Sequence, residues 1–187
     1  MEIKIWGKSK NEEIEISLAD HIKDVLTVFR FLSDKIKDEN LKKLIEIVIK
    51  YHDAGKVLPY FQRKTLGNKT YQPFEVYTNI PHSLLSTLLV DQDALKEELK
   101  SIIPDELIDT YLKYILSAIA YHHWRENFYD IVEGHTNVFE QLKRLTSDNK
   151  KWNPIEENLK LVYSDIDAVG LSINKHWLDG LENGIRF

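Results

Sequence analysis

From Ser17 onward, apolar residues recur at intervals of three and four, and this helical period constrains the fold more than any other feature. Ser17 and Asp20 are both suited to cap a first helix, which places His21, Val25, Val28, Phe29 and Leu32 on one face. Leu41, Leu44, Ile45 and Val48 share a face of a second helix, expected over 41–56. Pro81 opens a third with His82, Leu85, Ser86 and Leu89 on one side, and a fourth begins near Pro104 and runs through Ile108, Tyr111, Ile115, Ala118, Ile119 and His122. A shorter helix over 136–145, a helix start at NPIEEN, and a last helix holding Leu159, Val162, Ile166, Val169 and Ile173 complete the series. Asp165 and Asp167 are embedded in that last helix. Only the opening MEIKIWGKS alternates apolar and polar residues, through Ile3 and Ile5, as a short strand or extended arm does.

With 7 Gly and 5 Pro in 187 residues, the chain is too poor in turn formers for an all-β fold. The expected architecture is one all-α domain spanning 1–187, a helical bundle preceded by the short strand or arm. Between the second and third helices, QRKTLGNKTYQP reads as a long loop carrying Arg63, Lys64 and Lys69. The absence of cysteine removes disulfides and thiolate metal sites. No signal-like opening or membrane-length apolar run is visible, so a cytoplasmic protein is expected, with no membrane association. A formal net charge of −5 argues against a surface coated for duplex binding, but a local basic strip can still serve a short single strand.

Five of the 7 histidines, His21, His52, His82, His122 and His123, lie on or at the ends of the apolar stripes. A lone histidine in such a place is more often a hydrogen-bonded core residue than a ligand. Five alter that balance, because each buried imidazole needs partners for both ring nitrogens and the stripes offer few besides aspartates. Asp53 beside His52 raises the matching problem, since burying an uncompensated carboxylate is costly. A shared metal satisfies both. Histidine nitrogen with carboxylate oxygen suits Mn, Fe, Co, Ni or Zn better than Mg, which favours oxygen-rich sites.

The order His21, then His52-Asp53 within H-D-x-G-K, then a late aspartate, resembles the HD superfamily of metal-dependent phosphohydrolases. PHSLLS, which spaces His82 and Ser86 as H-x-x-x-S, and AIAYHHW, with the His122-His123 pair, are similar to the HD nuclease domain of the CRISPR type I interference nuclease-helicase. IWGKS and HDAGKVLPYFQ, through Phe61 and Gln62, extend the resemblance over roughly 5–172. Trp124 departs from it, standing where a glycine commonly follows the histidine pair.

The resemblance implies an HD-type bundle and two divalent metals bridged by Asp53. His21, His52 and Asp167 would hold one metal, with Asp165 the alternative to Asp167. His82, His122 and His123 would hold the other, and His135 and His176 fall outside the set. The implied metals are Mn, Ni, Co or Fe before Mg, with Zn admissible. Asp53 and Lys56 would be catalytic, Lys56 facing the phosphate; a solvated lysine at a helix end is the plainer reading. Lys56, Ser86, Arg63 and Arg125 would bind substrate, although Ser86 could equally pack in its helix. Tyr60, Phe61 and Trp124 either stack bases or fill the core.

The implied activity is hydrolysis of single-stranded DNA, with a superfamily 2 helicase in cis or trans and an RNA-guided surveillance complex as partners. The sequence contains no G-x-x-x-x-G-K-[ST] phosphate loop, so a stand-alone subunit or an excised domain is expected; the resemblance, to a domain that often runs longer, also allows for missing C-terminal helices. The rivals are an HD phosphohydrolase of nucleotides or cyclic dinucleotides, and an interaction domain with a structural metal.

Overall fold

The computed structural model describes residues 4–8, 15–69, 81–123, 144, 147, 149–164 and 166. Among these the fold is helical throughout, without strands. The opening is an extended arm: Gly7 N donates to the Ile16 carbonyl at 2.9 Å, Leu18 N to the Ile5 carbonyl at 2.8 Å, and Trp6 forms an antiparallel bridge with Ser17.

Helix α1, Leu18–Leu32, begins where the Ser17 side chain accepts from Asp20 N. Its buried stripe is Leu18, Ile22 and Leu26, not the Val25–Val28–Leu32 line expected from spacing. Val28 and Leu32 are 59% and 48% exposed because the last turns of α1 run past the core. Helix α2, Glu39–Tyr51, is capped by the Asp38 side chain, which accepts from Asn40 N and Leu41 N, and buries Leu44, Ile47 and Tyr51. It stops at Tyr51 instead of reaching Lys56. His52 N still closes the final turn onto the Val48 carbonyl, but Asp53 leaves helical geometry at φ −105°, ψ 7°, and a 3-10 turn over Ala54–Val57 follows. Such bridge-region backbone recurs at active sites.

Where it is described, the segment expected as a loop begins with a π-helical turn at Phe61–Thr65. Helix α3, His82–Leu89, follows Pro81 and is buried from Ser83 to Leu89. It lies against the 54–57 turn at Gly55, where an added Cβ would meet the His82 carbonyl oxygen at 2.0 Å. Glycine is what permits this approach. Helix α4, Gln92–Leu99, was not anticipated; the Asp91 side chain caps it, and Leu95 and Leu99 one turn apart bury it. After a 3-10 turn at Asp105–Leu107, α5 runs over Ile108–Tyr121. Helix α6, Asn149–Tyr163, starts ahead of NPIEEN and ends before Ile166, so two expected elements are one. The helix expected over 136–145, apart from residue 144, and Val169 and Ile173 lie outside the described residues.

Two apolar clusters result. The first joins Ile5, the α1 stripe, Ala54, Val57 and Leu58, α3 and the α6 residues Ile155, Leu159 and Val162. The second joins α2, α4 and α5. Tyr163 packs against both. The turn at His52–Asp53 lies where the elements of the two clusters meet. Among the described residues no helix is long and apolar enough to cross a membrane.

Candidate metal centre

Four elements deliver imidazoles to one carboxylate. His21 comes from the second turn of α1, His52 from the end of α2, His82 from the start of α3 and His122 from the end of α5. Asp53, 1% exposed, receives them on two sides. His21 Nε2 and His52 Nε2 lie 3.1 and 3.2 Å from Oδ2, whereas His82 Nε2 and His122 Nε2 lie 3.2 and 3.5 Å from Oδ1. His123 joins the same group, its ring tilted against that of His122 with centroids 4.2 Å apart and edge-on to that of His82 at 4.8 Å. Potential ligand atoms therefore form two sets, His21–His52–Asp53 and Asp53–His82–His122–His123, each within 4.8 Å, and Asp53 belongs to both.

The local reason is helix termination. The last carbonyls of a helix lack intrahelical donors. A histidine at the C-cap supplies one: His52 Nδ1 donates to the Ile49 carbonyl and His122 Nδ1 to the Ile119 carbonyl, both at 2.7 Å. A carbonyl only accepts, so Nδ1 carries the proton and the neutral ring presents a bare Nε2 lone pair. Bonds of this kind from the other ring nitrogen commonly orient metal-ligating histidines.

Among the described residues, Asp53 Oδ1 and Oδ2, His82 Nε2 and His122 Nε2 are buried without a hydrogen bond of acceptable geometry, although Lys56 Nζ stands 2.7 Å from Oδ2. Burial pushes the Asp53 carboxyl up, but the imidazoles of His122, His21, His52 and His82 outweigh it and hold it well below the usual carboxylate range. Burial also lowers His82, against the raising influence of Asp53. Burial, with His122 and His82 nearby, lowers His123 to about 4. A carboxylate with imidazole nitrogens approaching both of its oxygens is a donor set that fits divalent transition metals.

Lys56 is buried, not solvated: Nζ lies 2.7 Å from Asp53 Oδ2 and donates to the Gly7 carbonyl at 3.0 Å. Ser86, also buried, has its hydroxyl engaged within the protein. It accepts from Gly55 N and is placed to donate to the His52 and His82 carbonyls, each contact at 2.8 Å. In this arrangement the hydroxyl holds α3 to the turn after Asp53. Phe61 sets its ring 4.5 Å from that of His82, and Tyr60 and Phe61 pack on the first cluster. Arg63 is half-buried on the π-helical turn, with Lys64 and Lys69 exposed. Asp165, Asp167, Trp124, Arg125, His135 and His176 lie outside the described residues.

Sequence reasoning missed the interior polar network around Gln62 and Asn68, both fully buried. Gln62 was noticed only as part of a motif; nothing in local spacing says that its amide meets the N-terminal arm.

A helical bundle with an H-D turn and histidines converging on its aspartate defines the HD class of metal-dependent phosphohydrolases. Within that class, the family model described as "Cas3, HD domain" matches residues 6–164, and the chain belongs to this family. Its members are metal-dependent nuclease domains that bind divalent metal and act on nucleic acid in CRISPR systems, in association with a helicase. No curated protein and no solved structure matches.

Proposed function

We propose that this chain hydrolyses phosphodiester bonds of single-stranded DNA during CRISPR interference, using two divalent metals that share Asp53. The observation that carries the reading is the division of donors between the two oxygens of one buried carboxylate, His21 and His52 toward Oδ2, His82 and His122 toward Oδ1. In this reading Asp167 completes the first set and His123 the second. The donor chemistry favours Mn, Ni, Co or Fe over Mg, with Zn also suited. A bound pair of such ions supplies an activated water and neutralises charge on the attacking and leaving oxygens.

The chain's residues do the rest. Asp53 supplies the shared negative charge, and the Nδ1 bonds of His52 and His122 keep their rings turned inward. Lys56 places an ammonium beside Asp53 Oδ2, where it can meet a phosphate oxygen. Arg63 and Arg125 steer the strand, and Phe61 beside His82 offers a face to a base. A superfamily 2 helicase feeds the strand, recruited by an RNA-guided surveillance complex in the cytoplasm.

The test is incubation of circular single-stranded DNA, linear RNA and free nucleotides with the protein in Mn, Ni, Co and Mg, alongside Asp53→Ala. Nicking of the circle by wild type, absent from the variant, is expected. Hydrolysis of nucleotides alone would favour the nucleotide-phosphohydrolase alternative, and an active Asp53→Ala would sink both.

A further inference from the structure

Lys56 reaches Asp53 from three residues along the same turn, and its ammonium is also met by the N-terminal arm. Its ammonium donates to the Gly7 carbonyl, 49 residues earlier in sequence. Gly7 is pressed on α1 so closely that an added Cβ would lie 2.6 Å from the His21 Cβ. The arm is thus wedged between Lys56 and His21.

A single buried side chain fixes the arm relative to the Lys56 turn. Gln62 Oε1 accepts from Trp6 N and Gln62 Nε2 donates to the Trp6 carbonyl, each at 2.9 Å, the paired exchange that a neighbouring strand would make. The second amide hydrogen goes to the Lys56 carbonyl at 2.8 Å, and Oε1 also accepts from Asn68 Nδ2 at 2.9 Å. A primary amide has two donors and two acceptor sites, and all are used. Asn68 adds a bond from Nδ2 to the Lys4 carbonyl at 2.8 Å, tying down the start of the arm. Gln62 and Asn68 are both fully buried, so losing either leaves unpaired polar groups inside.

We infer that Gln62, braced by Asn68, is a positioning residue for Lys56: it locks the arm so that the Gly7 carbonyl holds the ammonium against Asp53. Among the described residues, none of its hydrogen bonds is with a histidine of the cluster. Gln62 therefore bears first on where the Lys56 charge sits, and on the metal donors at one remove, through Lys56 at Asp53 and Gly7 at His21. Its effect on turnover rests on the phosphodiesterase reading above; the placement of Lys56 does not.

Three readouts on Gln62→Met separate this role from general destabilisation. Competitive acetylation read by mass spectrometry reports Lys56 reactivity against exposed Lys37, Mn²⁺ titration reports the donors, and steady-state cleavage reports the chemistry. Lys56 labelling is expected to rise about tenfold once the restraint is lost. Because Lys56 stands on Asp53, Mn²⁺ affinity should change, but by less than the roughly 100-fold at the top of the range for a neighbour of a ligand. A small misplacement of a catalytic charge should lower kcat by about tenfold or more with KM little changed. Ile115→Val, a mild change in the second cluster, controls for stability and should leave Lys56 labelling unchanged. If Gln62→Met does not fold, Asn68→Ala carries the same test with a smaller rise, about threefold.

Unchanged Lys56 labelling in the folded variant, or an equal rise in Ile115→Val, would overturn the inference. A rise in labelling while wild type cleaves no phosphodiester supports it and removes the nuclease reading alone.

Discussion

Replacing Asp53 by Asn would weaken both halves of the cluster at once, because Oδ1 faces His82 and His122 while Oδ2 faces His21 and His52. The change keeps the shape and removes the charge, so Mn²⁺ affinity should fall by more than the roughly 100-fold typical of losing an outer-shell partner. Electron paramagnetic resonance of free Mn²⁺ would measure it, and one equivalent bound with wild-type affinity would contradict the shared carboxylate. Ser86→Ala separates two roles that the sequence left level. The Gly55 N–H would lose its acceptor in a buried place, at about 1–3 kcal/mol in urea unfolding, with KM for the strand unchanged. A raised KM at unchanged stability would return Ser86 to the substrate. The histidines and Asp53 were legible because they lie in or beside the end turns of helices, where the apolar period marks the inward face. The position of Lys56 was not, since it depends on a carbonyl 49 residues away.

At the scale of elements, capping and apolar spacing located α1, α2, α3 and α5, and the departures have physical causes. Helix α2 ends at Tyr51 because Asp53 takes bridge-region geometry and Gly55 lets the following turn touch α3. Helix α4 was overlooked although Asp91 and the Leu95–Leu99 pair mark it; its 8 residues present too short a stripe to stand out from the charges around it. The junction of α6 with α2 makes an alkaline-pH prediction. The Tyr163 hydroxyl donates to the Lys50 carbonyl at 2.8 Å, and its ring stacks on Tyr51 with centroids 6.3 Å apart. Burial, with Tyr51 and Asp53 nearby, pushes the Tyr163 phenol well above its ordinary value. A phenol whose folded pKa is raised contributes stability that is intact below the unfolded value of about 10 and is lost as pH rises above it. Tyr163→Phe should cost about 1 kcal/mol at neutral pH and flatten the fall in stability above about pH 10. Urea unfolding at several alkaline pH values measures both effects; an identical alkaline slope in wild type and variant would rule out Tyr163 as its source.

Across the whole molecule, the carboxylate stands where elements from two apolar clusters converge. His21 and His82 come from helices of the first, His52 and His122 from helices of the second. That division could not be read from the sequence, because periodicity shows which face of a helix is apolar but not which helices share a core. It has a thermodynamic consequence. A cation held by the cluster ties α1 and α3 to α2 and α5, so it stabilises the packing of one cluster on the other and not a single helix end. For one site, ligand at 100 times its Kd adds about 2.7 kcal/mol. In a chain of this size that corresponds to a rise in Tm of about 5–10 °C. Saturating Mn²⁺ should produce this rise within a single cooperative transition, and a chelator should reverse it. Asp53→Ala should show no Mn²⁺-dependent shift, since neither donor set retains its carboxylate. A wild-type Tm indifferent to Mn²⁺ and chelator would mean that the histidines hold no cation. A rise preserved in Asp53→Ala would mean that a cation binds elsewhere, and the convergence on Asp53 would then be packing alone.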